Sequence, residues 1–96
     1  MNLYLLTQSE NDDYDTYDSC VVAAESEETA KTIHPSNNYC FIDGKLYWKN
    51  SDGSVELQET NRSGWPSTPD NVIVRLIGIA IEGTAQCVIL ASFNAG

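Results

Sequence analysis

Two apolar runs frame the first quarter of the chain. "NLYLLTQ" (2–8) carries enough aliphatic and aromatic residues for a central strand, and "SCVVAA" (19–24) is a second, β-branched one. "ESEETAKTIHP" then changes period. Ser26 suits an N-cap, and Glu27 and Glu28 fall in the first turn, where the helix dipole favours anions. Glu27 and Lys31 stand i,i+4, and Pro35 stops the pattern just beyond Ile33–His34. This predicts a helix of about two turns near residues 26–34, docked by Ala30 and Ile33, which needs a sheet beneath it.

"YCFIDGKLYWKNSDGSVELQE" places Asp-Gly at 43–44 and again at 52–53 between strand-like runs. Both central residues of a type I′ turn need positive φ, so these dipeptides predict hairpins joining strands near 39–42, 45–49 and 54–59. "TNRSGWPSTPDN" (60–71) reads as a loop. "VIVRLIGIAIEG" and "QCVILASF" follow as two long strands joined around Gly83, with Gly78 as a candidate bulge. Both are apolar on both faces, which suits a covered sheet or an oligomer interface. The fold class is α+β: a mostly antiparallel β-sheet, a meander with two Asp-Gly hairpins, and one short helix, in a single domain over 1–96. There is no internal repeat or low-complexity segment.

Charge alters the picture because it is local. The net charge is -9, and residues 9–28 hold eight acids without a Lys or Arg, whereas the remainder sets six acids against five bases. Duplex nucleic acid calls for a basic face that displaces counterions, and none is visible. A small anion held by one or two arginines is compatible with the balanced part. Three cysteines, Cys20, Cys40 and Cys87, leave at least one unpaired and lack CxxC spacing, so reduced, buried thiols in a cytosol are expected. The N-terminus lacks a basic n-region and no apolar run approaches the ~20 residues of a spanning helix, so a soluble protein is expected.

The stretch "NDDYDTYDS" (11–19) invites a calcium reading that fails on position. Counting from Asp13, the fifth place is Tyr17, the glycine place is Asp18 and the twelfth is Ala24. No metal or cofactor is expected. The same carboxylates, Asp12, Asp13, Asp15 and Asp18, with Tyr14 and Tyr17 between them, present a candidate partner-binding surface that would imitate phosphates toward a basic groove. The plainer reading is a solvated connector between two central strands. Farther along, Tyr39, Phe41, Tyr47, Trp48 and Trp65 are dense. Alternation puts Tyr39 and Phe41 on one face and sends the adjacent Tyr47 and Trp48 to opposite faces. Rings stack on bases and arginine pairs phosphate bidentately, so Trp48, Trp65, Arg62 and Arg75 form a candidate ligand-binding set. The alternative is that the rings fill a small core. Arg75, inside an apolar strand, has three uses open to it: an internal ion pair, a contact with another subunit, or a ligand anion. His34 reads as a polar residue at the helix end. There is no GxSxG, P-loop, zinc spacing or Cys–His constellation, so no enzyme is expected.

"NLYLLTQSENDDYDTYDSCVVAAESEETAKTIHPS" together with the terminal "ASFNAG" resembles small proteins carried by bacteriophages and prophages, and within them the Thoeris anti-defence proteins of the first type. The likeness covers the first 36 residues and the last strand. It implies a β-rich homo-oligomer in the host cytoplasm that sequesters a cyclic nucleotide or cyclic ADP-ribose-type signal without cleaving it, and it carries no ligand motif residue by residue. A different class stays open beside it: an acidic anti-CRISPR-type inhibitor that binds a host defence protein through residues 10–18.

Overall fold

The computed structural model describes residues 1–10 and 15–94, with Asn94 described in its backbone only. Seven strands form two antiparallel sheets, with one short helix and one 3-10 turn. The strands are β1 (Asn2–Thr7), β2 (Thr16–Ala24), β3 (Tyr39–Ile42), β4 (Lys45–Lys49), β5 (Val55–Leu57), β6 (Ile73–Ile79) and β7 (Cys87–Asn94). The larger sheet has the order β6-β1-β2-β7, and β3-β4-β5 make a separate meander. The expected single sheet is therefore two.

Period-two alternation sorts β1 and β2 onto two faces. Tyr4 pairs with Val22 and Leu6 with Cys20, and all four are buried in the core. Trp65, Val72, Ala24 and Ala30 complete that core, and Tyr17, Ile33, Phe41, Val74, Val88 and Ala91 pack against it. The register also fixes the opposite face as three cross-strand rows, read from β6 to β7. The first is Ile73, Thr7, Ser19, Ser92; the second Arg75, Leu5, Val21, Leu90; the third Gly78, Leu3, Ala23, Cys87. None of these twelve residues belongs to the core cluster or to the hydrophobics packed against it.

The two C-terminal strands depart from a simple hairpin. β6 pairs with β1 and β7 with β2, so they lie at opposite edges and residues 80–86 cross between them. The two central strands already fill the middle, so each late strand finds its free hydrogen-bonding groups on an outer edge. A register shift between Leu3 and Tyr4 leaves an extra residue on β6 beside Gly78.

The helix, α1 (Glu27–Lys31), is shorter than the expected span of 26–34. The Ser26 side chain caps it by accepting from the Thr29 N–H at 3.2 Å, and only Ala30 of its residues is buried. Thr32 closes the last turn, and the chain then drops His34 and Pro35 into buried positions rather than carrying His34 on a helix end. Between β3 and β4, Ile42 pairs with Lys45, and the intervening Asp43 and Gly44 have φ of 52° and 77°.

The loop over 60–68 acts as a lid on the core. Asn61 Oδ1 accepts from the Ser63 N–H and hydroxyl, and its Nδ2 donates to the Trp65 carbonyl. Gly64 accepts the Tyr17 N–H at 2.9 Å, which ties the loop to the start of β2. Trp65 is driven fully beneath the surface, and Pro66 with it.

Candidate functional site

The meander places an aromatic row beside the larger sheet. Tyr39 of β3 and Trp48 of β4 are direct cross-strand partners, and their rings meet edge to face at 5.1 Å. On its other side Tyr39 stacks on His34 at 5.1 Å and 29°. His34 in turn lies 5.8 Å from Phe41 and 6.5 Å from Trp65, ring to ring. The row thus runs from the half-buried Trp48 inward to the core.

Two contiguous hollows follow this row. One, of about 520 Å³, is lined by His34, Tyr39, Lys49, Cys40 and Cys87 among others. The second, of about 640 Å³, is lined by Trp48, Lys49, Asn37, Asn38, Asn50 and Ser51. They share Asn37 and Lys49. Among the described residues no Asp or Glu lines either, although the chain carries fourteen acids, and Lys49 supplies the positive charge.

His34 sets the chemistry at the inner end. Its Nδ1 accepts the Ser36 N–H at 2.9 Å, so the neutral ring carries its proton on Nε2. That Nε2 is buried and has no hydrogen-bond partner among the described residues, and neither has Trp65 Nε1. A buried donor without an acceptor costs about 1–3 kcal/mol. Burial holds the His34 pKa down to about 4; the Ser36 hydrogen bond opposes this and the charge of Lys49 adds to it. The ring is therefore neutral at pH 7, a hydrogen-bond donor rather than a cation or a ready base.

The expected ligand set is dispersed. Trp48 is in the cleft, at its outer end. Trp65 is buried to 0% exposure, so its faces are taken by protein and a base cannot stack on it. Arg62 is exposed on the 60–68 loop, and Arg75 is exposed on the outer face of β6. Neither arginine lines the two hollows. Of the acidic partner surface, Asp12, Asp13 and Tyr14 lie outside the described residues. Asp15 is exposed with φ 60°. Tyr17 folds onto the sheet, 4.8 Å from the Phe93 ring, and Asp18 is exposed, its carboxylate accepting from the Ser92 hydroxyl at 3.4 Å.

Sequence reasoning passed over Asn37, Asn38 and Lys49. Their signal was present in "SNNY" and in the Trp48-Lys49 adjacency, which puts an aromatic and a cation on one strand. Their convergence depends on the β3–β4 pairing and on where the chain leaves α1. The cysteines also divide. All three are free thiols, but only Cys20 is buried, and burial pushes its pKa up to about 12; Cys40 is half-buried and Cys87 exposed.

The described residues contain no group of three or more His, Cys, Asp or Glu that would hold a metal ion, and no helix is long and apolar enough to cross a membrane. Comparison of the chain with family models, with curated proteins and with solved structures finds no match.

Proposed function

We propose that the protein is a non-enzymatic binding protein that sequesters a cyclic nucleotide or cyclic ADP-ribose-type signal, a phage-encoded inhibitor of bacterial antiviral defence. The observation that carries this reading is the cleft along Trp48, Tyr39 and His34, whose described lining holds no acid in a strongly acidic protein. A base stacks on the exposed face of Trp48, where ring stacking is sequence-tolerant and contributes about 1–3 kcal/mol. Lys49 meets a phosphate as a point charge. The amides of Asn37 and Asn38 offer both donors and acceptors to a base edge or ribose. The chemistry available is recognition: a neutral histidine whose Nδ1 is already engaged, with no carboxylate among the described residues that line the cleft, leaves the bound signal uncleaved.

A thermal-shift screen against cyclic di- and trinucleotides and cyclic ADP-ribose isomers tests the reading. Ligand at a hundred times its dissociation constant adds about 2.7 kcal/mol, a rise on the order of 10 °C for a domain of this size. Trp48→Ala and Lys49→Ala each weaken binding at least about tenfold, roughly 1.4 kcal/mol, while an Arg62→Ala, Arg75→Ala double variant binds as before. No shift with any of these ligands sinks the proposal and turns attention to residues 10–18 and a host defence protein. A shift abolished by the arginine pair alone returns the site to the arginines.

A further inference from the structure

The dipeptide Asp-Gly occurs at 43–44 and at 52–53, and the fold holds the two differently. All four residues are exposed. A Cβ added at Gly44 or Gly53 would meet nothing within 4 Å beyond its chain neighbours, so neither backbone is shielded. The difference lies in hydrogen bonding. Asp52 Oδ1 accepts from the Ser54 hydroxyl at 2.6 Å and from the Ser54 N–H at 2.9 Å, and the Gly53 N–H donates to the Asn50 carbonyl at 3.1 Å. The bonds from Ser54, the hydroxyl first and then the N–H, hold the Asp52 carboxyl below the usual carboxylate range. Neither the Asp43 carboxylate nor the Gly44 N–H has a hydrogen-bond partner among the described residues. Asp43 also sits in the left-handed region, at φ 52°, with no side-chain hydrogen bond to secure it.

We infer that Asp43-Gly44 is a site of spontaneous isoaspartate formation and that Asp52-Gly53 is protected from it. The Gly44 amide nitrogen attacks Asp43 Cγ and forms the new C–N bond of a cyclic succinimide, and the Cγ hydroxyl leaves with the amide proton as water. A water molecule then opens the ring. Cleavage of the new bond at Cγ returns aspartate. Cleavage at the main-chain carbonyl carbon leaves the chain running through the former side chain, as isoaspartate, with no net change in mass. No oxidant, reductant or enzyme enters. Ring closure needs an amide nitrogen whose N–H is not already donated, and a carboxyl free to turn onto it. Residues 43 and 44 supply both, whereas at 52–53 three hydrogen bonds must open first.

The product changes the meander. It adds one backbone carbon to the link between Ile42 and Lys45, which pair across β3 and β4. Tyr39 and Trp48 pair on the same two strands, so conversion at residue 43 works against the register that sets those rings edge to face. The site and its consequence stand whether or not the cleft takes a nucleotide.

Peptide mapping of the folded protein, aged at neutral pH without any nucleotide, tests this. Trypsin cuts after Lys45 and Lys49, so the two dipeptides fall on different peptides, and electron-based fragmentation tells isoaspartate from aspartate in each. Isoaspartate is expected to accumulate at residue 43 at least about tenfold faster than at residue 52, because hydrogen bonds guard the second site alone. In urea the two are expected to convert at similar rates. Ser54→Ala, a change at an exposed position, is expected to speed conversion at residue 52 several-fold and to leave residue 43 as before. Conversion at residue 52 as fast as at residue 43 in the folded chain overturns the inference. So does a folded chain that stays unconverted at residue 43 while the urea-unfolded chain reacts.

Discussion

His34 carries the sharpest consequence at the scale of single residues. Its folded pKa of about 4 lies below the ordinary 6.5 because burial disfavours the cation. The unfolded chain takes up a proton as pH falls through 6.5, while the folded chain does not until about pH 4. The contribution to stability is therefore complete above 6.5 and is lost between 6.5 and 4, by at most about 3 kcal/mol. Urea unfolding at pH 7.5 and pH 5 is expected to show a fall of about 2 kcal/mol in the wild type, and a markedly smaller fall in His34→Asn. Equal falls in the two proteins refute the assignment. Gly64 is the second such position. Its φ is +74°, and a Cβ there would stand 2.6 Å from the Asp15 carbonyl oxygen, a backbone atom that cannot swing aside. Gly64→Ala combines left-handed strain with that clash, for a loss of about 2–4 kcal/mol and a Tm lower by roughly 8 °C or more. A Tm within about 2 °C of wild type would show that the 60–68 loop does not depend on this approach. Neither residue was legible from its neighbours in sequence. Histidine before Pro35 reads as polar, and Gly64 reads as one loop residue among several, because burial and close approach are set by chain segments far away.

At the scale of elements, α1 shows how a short helix survives. Five residues are too few to be stable alone, so the segment relies on its cap and on Ala30 and Ile33 against the sheet. Ser26→Ala removes the acceptor for the Thr29 N–H and is expected to cost about 1 kcal/mol, a Tm drop of about 4–8 °C. Thermal unfolding of that variant checks it, and an unchanged Tm would mean that docking alone holds the helix. The capping serine, the acidic first turn and Lys31 in the last turn were all readable from the sequence. The helix end was not, because Ile33 and His34 continue the helical pattern while the structure uses both against the core. The strands divide in the same way. β1 and β2 are legible from their alternation and prove central, with Tyr4, Leu6, Cys20 and Val22 inward. β6 and β7 are legible as strands, yet their places at opposite edges are not: adjacency in sequence suggests pairing, and the central strands intercept it.

The whole molecule has its core on one face of the main sheet; the other face mixes the exposed Ile73 and Leu90 with Thr7, Ser19, Ser92 and Arg75, and Ala23 in its third row is fully buried. The candidate cleft belongs to this scale too, since Asn37 and Asn38 after α1, Tyr39 on β3 and Trp48 and Lys49 on β4 meet only through the folding of the meander against the core. The sequence by itself determined the period of each strand, the cap of the helix, the concentration of acids in the first third and the lack of catalytic or metal-binding motifs, because these follow from side-chain types and local spacing. Tertiary structure alone decided which aromatics are core and which are surface, taking Trp65 inward and leaving Trp48 accessible. It also separated the meander from the main sheet, moved β6 and β7 to opposite edges and brought Asn37, Asn38, Trp48 and Lys49 to one cleft. Those outcomes rest on pairing between distant segments, where the free energy of burial is shared among many residues and no local pattern specifies the partner.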